Sequence, residues 1–152
     1  MSTVAVDMQE CFKPVVGQRP WRARRGVGSF LTFDFGPKRR LQGQELGTWH
    51  LWIYLARWAL IHNGRQLVTS DSERHPISVA VRRLEAEKFL GVELDPQNST
   101  ASFAFGDFRL AVAPADYLEK PDDRDQYWLF FMPNHLVLTA GPGGIDVRPS
   151  DK

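Results

Sequence analysis

Four histidines, at 50, 62, 75 and 135, and one cysteine, Cys11, are the side chains best suited to metal, nucleophilic or acid–base chemistry. A zinc site needs three or four convergent ligands, and no two of these histidines stand at i,i+4 or in an HExxH. His62 and His135 each flank a predicted hairpin turn, where polar residues are ordinary. His50 lies inside a tryptophan-rich strand, so it alone merits attention as a ligand or base, the plainer reading being a hydrogen-bonded structural residue. GxSxG, SxxK and a Cys close to a His are all missing from the sequence. Glycines at Gly26 and Gly28, and at 141–144, lack the strand-to-helix junction of a phosphate cradle. These observations point away from an enzyme, a cofactor or a metal.

Charge is the next source of chemistry. The acidic run Asp116, Glu119, Asp122, Asp123 and Asp125 lacks EF-hand spacing and a central glycine. It reads as a solvated loop or as a contact surface for a basic partner. Arg19, Arg22, Arg24, Arg25, Lys38, Arg39 and Arg40 are interleaved with Trp21, Phe30, Phe33 and Phe35, as on a nucleic-acid surface. The phenylalanines match core periodicity, however, and no RNP or cold-shock motif is present, which argues against nucleic acid. Net charge is +1, yet residues 1–65 hold ten Lys/Arg against four Asp/Glu while residues 66–152 hold nine against fourteen. That dipolar layout fits steering of a charged partner or simply two solvated faces.

The elements that position these groups read mainly as strands. With 43% hydrophobic and 24% charged residues in 152, the chain has the composition of one globular domain. The lone cysteine fits a reducing compartment, and no secretory signal or membrane-length apolar run stands out, so a cytoplasmic protein without membrane contact is expected. The segment Trp49–Leu60 fits a helix or a strand. Asn63-Gly64 decides for the strand, because that dipeptide tolerates the positive φ of a type I′ hairpin turn. The predicted register pairs His62 with Arg65, Leu60 with Leu67 and Trp58 with Thr69. Further hairpins are predicted at Gly106-Asp107 and Pro133-Asn134, the latter pairing Phe131 with Leu136. One helix is expected near 76–89, with Ile77, Ala80, Val81 and Leu84 on its inner face and Gly91 as its stop. The expected organisation is an irregular leader over 1–25, a single α+β domain over 26–140 and a flexible tail over 141–152. The expected fold is one curled, half-barrel-like antiparallel sheet of about eight strands carrying that helix.

Gly47-Thr48-Trp49 resembles the Gly-x-Trp that opens the first strand of lipocalins and related calycin barrels, which implies a ligand cavity. Over about two thirds of the chain, the segments WHLWIYLARWAL, LVTSDSERHPISVAVRRLEAEKFLGVELD, SFAFGDFRLAV and DQYWLFFMPNHLV resemble a group of small bacterial α+β proteins with immunity-protein-like members. Such proteins neutralise a toxin by binding it. The resemblance implies a non-enzymatic interaction module with another protein, a toxin, as partner. The contacts expected are Asp116, Asp122, Asp123 and Asp125 together with Trp52 and Trp58, since Trp often dominates interface energetics. The alternative is a small-ligand binder with an apolar cavity between sheet and helix, lined by His50, Trp52, Tyr54 and Trp58. Open sheet edges would also allow a homodimer.

Overall fold

The structure, a computed structural model, describes residues 8–115 and 126–150. Eleven antiparallel strands form two sheets. The six-stranded sheet contains β1 (Arg22–Arg25), β2 (Leu31–Leu41), β3 (Gln44–Ile53), β9 (Trp128–Met132), β10 (Leu136–Gly141) and β11 (Gly144–Pro149), in that spatial order. The five-stranded sheet runs β5 (Arg65–Thr69), β4 (Ala56–His62), β8 (Phe108–Pro114), β7 (Thr100–Phe105), β6 (Phe89–Asp95). The expected single sheet of about eight strands therefore gives way to two sheets in a mostly β molecule, with no closed barrel among the described residues. The physical reason lies in the tryptophan segment. β3 ends at Ile53 and β4 begins at Ala56, so the chain changes sheet at Tyr54-Leu55, where Tyr54 N–H donates to Tyr127 O and Leu55 N–H to Gln126 O.

That crossover also explains why the segment shows two apolar faces. Leu51 and Ile53 point inward from β3, whereas Ala56, Trp58 and Leu60 point inward from β4. The inward parity switches from odd to even positions as the chain passes between sheets. Both sets bury into one core in which side chains from the two sheets meet. Phe33 stacks on Phe105 at 5.3 Å, and Phe103 meets Trp128 edge-on at 5.5 Å. Such rings contribute roughly 0.5–1.5 kcal/mol per pair beyond their buried area.

All three expected hairpins form, but only the one at Gly106-Asp107 is free of a register shift. Asn63 (φ 50°) and Gly64 (φ 77°) form the predicted turn, and His62 pairs with Arg65. A bulge beyond Ile61 then shifts the register, so Leu60 meets Val68 and Ala59 meets Thr69. The Gly106-Asp107 hairpin keeps throughout the register that a two-residue turn there dictates, Phe105 with Phe108 and Phe103 with Leu110. At Pro133-Asn134 the turn takes in His135 as well, with Asn134 and His135 both at positive φ. Met132 therefore pairs with Leu136 and Phe131 with Val137. A one-residue slip exchanges faces, and Trp128, Phe130, Leu138 and Ala140 become the core set.

The helix, α1, spans Arg74–Arg82 and tightens into a 3-10 turn over Arg83–Ala86, ending short of the expected 89. Its inner residues Ile77, Ala80, Val81 and Leu84 are buried as their spacing predicts. Gly91 is not its stop: it sits in β6 at a bulge, with φ 146°. α1 packs against β1 and β5, and Arg25 Nε reaches Ser78 Oγ at 3.2 Å. Within the segment read as an irregular leader, Phe12 and Val15 are core residues, Phe12 stacking on Phe130 at 4.2 Å, and residues 22–25 form β1. Within the segment read as a tail, residues 144–149 form β11 on β10. No helix of the described residues is long and apolar enough to cross a membrane.

Candidate functional site

The outward face of the five-stranded sheet is built from small side chains. In β4, β8 and β7 the inward positions carry Trp58, Leu60, Leu110, Val112, Phe103 and Phe105, so alternation sends Ala59, Ala111, Ser102 and Ala104 outward. Register aligns them. Thr69, Ala59, Ala111, Ser102 and Glu93 form one cross-strand row over all five strands. At about 4.8 Å per strand, this row is about 19 Å long. The result is an open trough of about 620 Å³.

Charged groups flank the floor. Arg57, opposite Ala113, stands on one side of the row and Arg109, opposite Ile61 and Ala104, on the other. Strand geometry puts them about 14 Å apart. Asp71, Glu93 and Asp95 line the same trough. The Asp95 carboxylate is engaged locally, accepting from the backbone of Gln97 and from Asn98. Arg109 and Glu93 are exposed, and their side chains have no hydrogen-bond or ion-pair partner among the described residues. Around Leu90 and Gly91, a second groove of about 290 Å³ shares Glu93, Ser102 and Arg109 with the first.

The six-stranded sheet carries a different arrangement on its outer face. Register lines up Arg22, Asp34, His50, Phe131, Val137 and Arg148 across all six strands. Asp34 is fully buried. Its Oδ1 lies 2.7 Å from His50 Nδ1 and accepts from Gly47 N–H at 2.9 Å, while Oδ2 accepts from Arg22 Nε at 2.9 Å. Burial would raise the Asp34 carboxyl, but the His50 hydrogen bond and charge, the Gly47 N–H and Arg22 outweigh it and hold the group below the usual carboxylate range. Gly47 must be glycine, because a Cβ there would lie 2.6 Å from both Phe35 N and Phe35 O. His50 borders a surface pit of about 20 Å³ with Arg39, Thr48, Phe131 and Met132.

The residues expected to act are dispersed. Asp116, Asp122, Asp123 and Asp125 lie outside the described residues. Trp58 is 3% exposed, points into the core and donates its indole N–H to Ser29 O at 2.8 Å, so its ring is structural. Trp52 and Tyr54 lie together, ring centres 4.4 Å apart, with Phe30 against Tyr54 at 4.6 Å. His50 is one row away from Trp52 on the outer face of β3, tied to Asp34. The four residues expected to line one cavity thus do not converge, since Trp58 faces inward from the other sheet. Cys11 is half-buried, and burial, with Glu10 beside it, pushes its thiol up, away from nucleophilic use. No group of three or more His, Cys, Asp or Glu among the described residues is placed to hold a metal.

Two features escaped the sequence reading. The trough was signalled by outward positions filled with Ala and Ser where charged residues are usual. The Asp34–His50 pair was signalled by an aspartate between two phenylalanines in a strand, a residue disfavoured there without a partner. Compared with protein-family models, curated proteins and solved structures, the chain shows no match.

Proposed function

We propose that this protein is an interaction module that receives a segment of another protein in the trough of its five-stranded sheet, in the manner of an immunity or inhibitor protein toward a toxin. One observation carries the reading: the space between the sheets is packed with aromatic rings, while a concave floor of Ala59, Ala111 and Ser102 lies open outside, flanked by Arg109 and Glu93, whose side chains have no partner among the described residues. Small floor residues admit bulky partner side chains or a close backbone. Arg109 and Glu93 supply opposite charges that fix orientation and favour a segment of complementary pattern, acidic opposite Arg109 and basic opposite Glu93. Binding of this kind needs no catalytic group.

Filling the floor tests it. Ala111→Trp places an indole in the trough without touching the core and leaves the melting temperature within a few degrees. The proteins that the native-host chain retains should be lost from the variant. Retention of the same proteins by wild type and variant would remove the trough from the account.

The second reading, a small amphipathic anion lying on the same floor between Arg57 and Arg109, is favoured by the volume alone, which falls within the roughly 300–1,000 Å³ of ligand sites. A fluorescent aromatic sulfonate titrated against wild type and Ala111→Trp separates it from the first.

A further inference from the structure

On the opposite sheet, independent of the trough, we propose that Asp34 and His50 form a proton-accepting site whose working atom, His50 Nε2, faces a single water or hydroxyl held in the adjoining pit.

An ionised carboxylate only accepts. Asp34 Oδ1, 2.7 Å from His50 Nδ1, therefore requires Nδ1 to carry the proton. In the neutral ring Nε2 is then a bare lone pair. That nitrogen has no hydrogen-bond partner among the described residues, although the side chain is only 11% exposed. It is not a buried orphan, so solvent reaches it, and the Asp34-held ring presents an open acceptor at the pit. The pit of about 20 Å³ has room for one water, which needs roughly 10–15 Å³.

The surroundings suit proton transfer. Asp34 is itself fixed by Arg22 from β1 and by Gly47 N–H from β3, so the imidazole is oriented from behind. The Arg22 guanidinium is anchored in turn on Glu45 O and lies 4.8 Å over the Trp21 ring. β9 presents only Phe131 and Met132 to the pit, and Thr48 Oγ1 is occupied with Pro37 O at 2.7 Å. Arg39, from β2, borders the pit with no ion-pair or hydrogen-bond partner among the described residues. The charged groups around the ring are therefore Asp34, Arg22 and Arg39. Arg39 supplies the positive charge that a developing oxyanion would need.

A water held there can attack an activated acyl ester presented at the mouth of the pit. Nε2 takes one proton of the water while its oxygen bonds to the acyl carbon. The ester C–O bond breaks, and the leaving alkoxide recovers the proton from Nε2, giving acid and alcohol. A positioned general base of this type contributes roughly 10²–10⁴-fold.

p-Nitrophenyl acetate serves as the probe. The wild type should hydrolyse it faster than buffer. His50→Gln should lose at least about tenfold of that excess, and Arg39→Gln should lower the rate, whereas His135→Gln should match wild type. A His50→Gln rate equal to wild type, or an equal loss in His135→Gln, would overturn the proposal. Should His50→Gln fail to fold, diethyl pyrocarbonate on the wild-type chain decides: His50 is carbethoxylated ahead of His62, His75 and His135 if Nε2 is an open, activated acceptor. Sparing of His50 while the others react overturns it.

Discussion

Asp34 and His50 face one another across β2 and β3, Oδ1 2.7 Å from Nδ1, and Arg22 closes the same carboxylate from β1. Three neighbouring strands of the six-stranded sheet are thereby tied through one buried acid. The outer face of this sheet is ordered by a polar chain, and that of the other sheet by a central floor of Ala59, Ala111 and Ser102 between charged side chains.

The tie has an acid signature. Asp34 is held below the ordinary carboxylate range, so its partners contribute stability that is present above the unfolded value, about 3.9, and lost as pH falls through the lower folded one. Urea denaturation of the wild type should lose stability between pH 5 and pH 2 more steeply than that of Asp34→Asn, which no longer has the carboxylate to titrate. Parallel curves would separate the pair from the acid response. At neutral pH, Asp34→Asn should cost about 2–3 kcal/mol, below the roughly 3–5 kcal/mol of a fully buried broken pair because Arg22 is partly exposed.

Gly47→Ala should be among the most damaging methyl additions in the chain. The new Cβ meets the Phe35 backbone at 2.6 Å, where no flexible side chain can yield, and the same residue's N–H holds Asp34. A loss of about 2–4 kcal/mol, read as a fall of roughly 5–15 °C in melting temperature, is expected.

Phe12→Ala should cost about 3–4 kcal/mol, since the ring is buried against Phe89, Phe103, Trp128 and Phe130. Chemical denaturation measures it. A cost under 1 kcal/mol would mean that the segment before β1 is an appendage, not part of the core.

The two tryptophans nominated from sequence should separate cleanly. Trp58→Ala removes a buried indole and its bond to Ser29 O, and should cost about 3–5 kcal/mol. Trp52→Ala, half-buried beside Tyr54, should cost roughly 1–2 kcal/mol. Equal losses would contradict the inward parity of β4.

What sequence could and could not reveal follows from these same residues. Asn63-Gly64 announced its turn because positive φ is a local demand, and the Gly106 hairpin announced its register because alternation is strict there. Local patterns contain no information on which sheet a strand joins. Trp49–Leu60 therefore reads as one strand, and only the crossover at Tyr54-Leu55 reveals the two layers. The face of each trough residue was legible from alternation, as with Ser102, Ala104, Arg109 and Ala111. Their assembly into one row was not, because it depends on pairing between β8 and β4, strands 46 or more positions apart in sequence. Likewise His50 stood out in its strand, while its partner at Asp34 became visible only through the β2–β3 register.

A photo-crosslinking amino acid placed at position 111 in the native host, with position 38 on the other sheet as control, tests the trough most directly. The account predicts a discrete protein adduct from position 111 that Arg109→Glu abolishes without lowering the melting temperature. Adducts from position 38 with none from position 111 would contradict it.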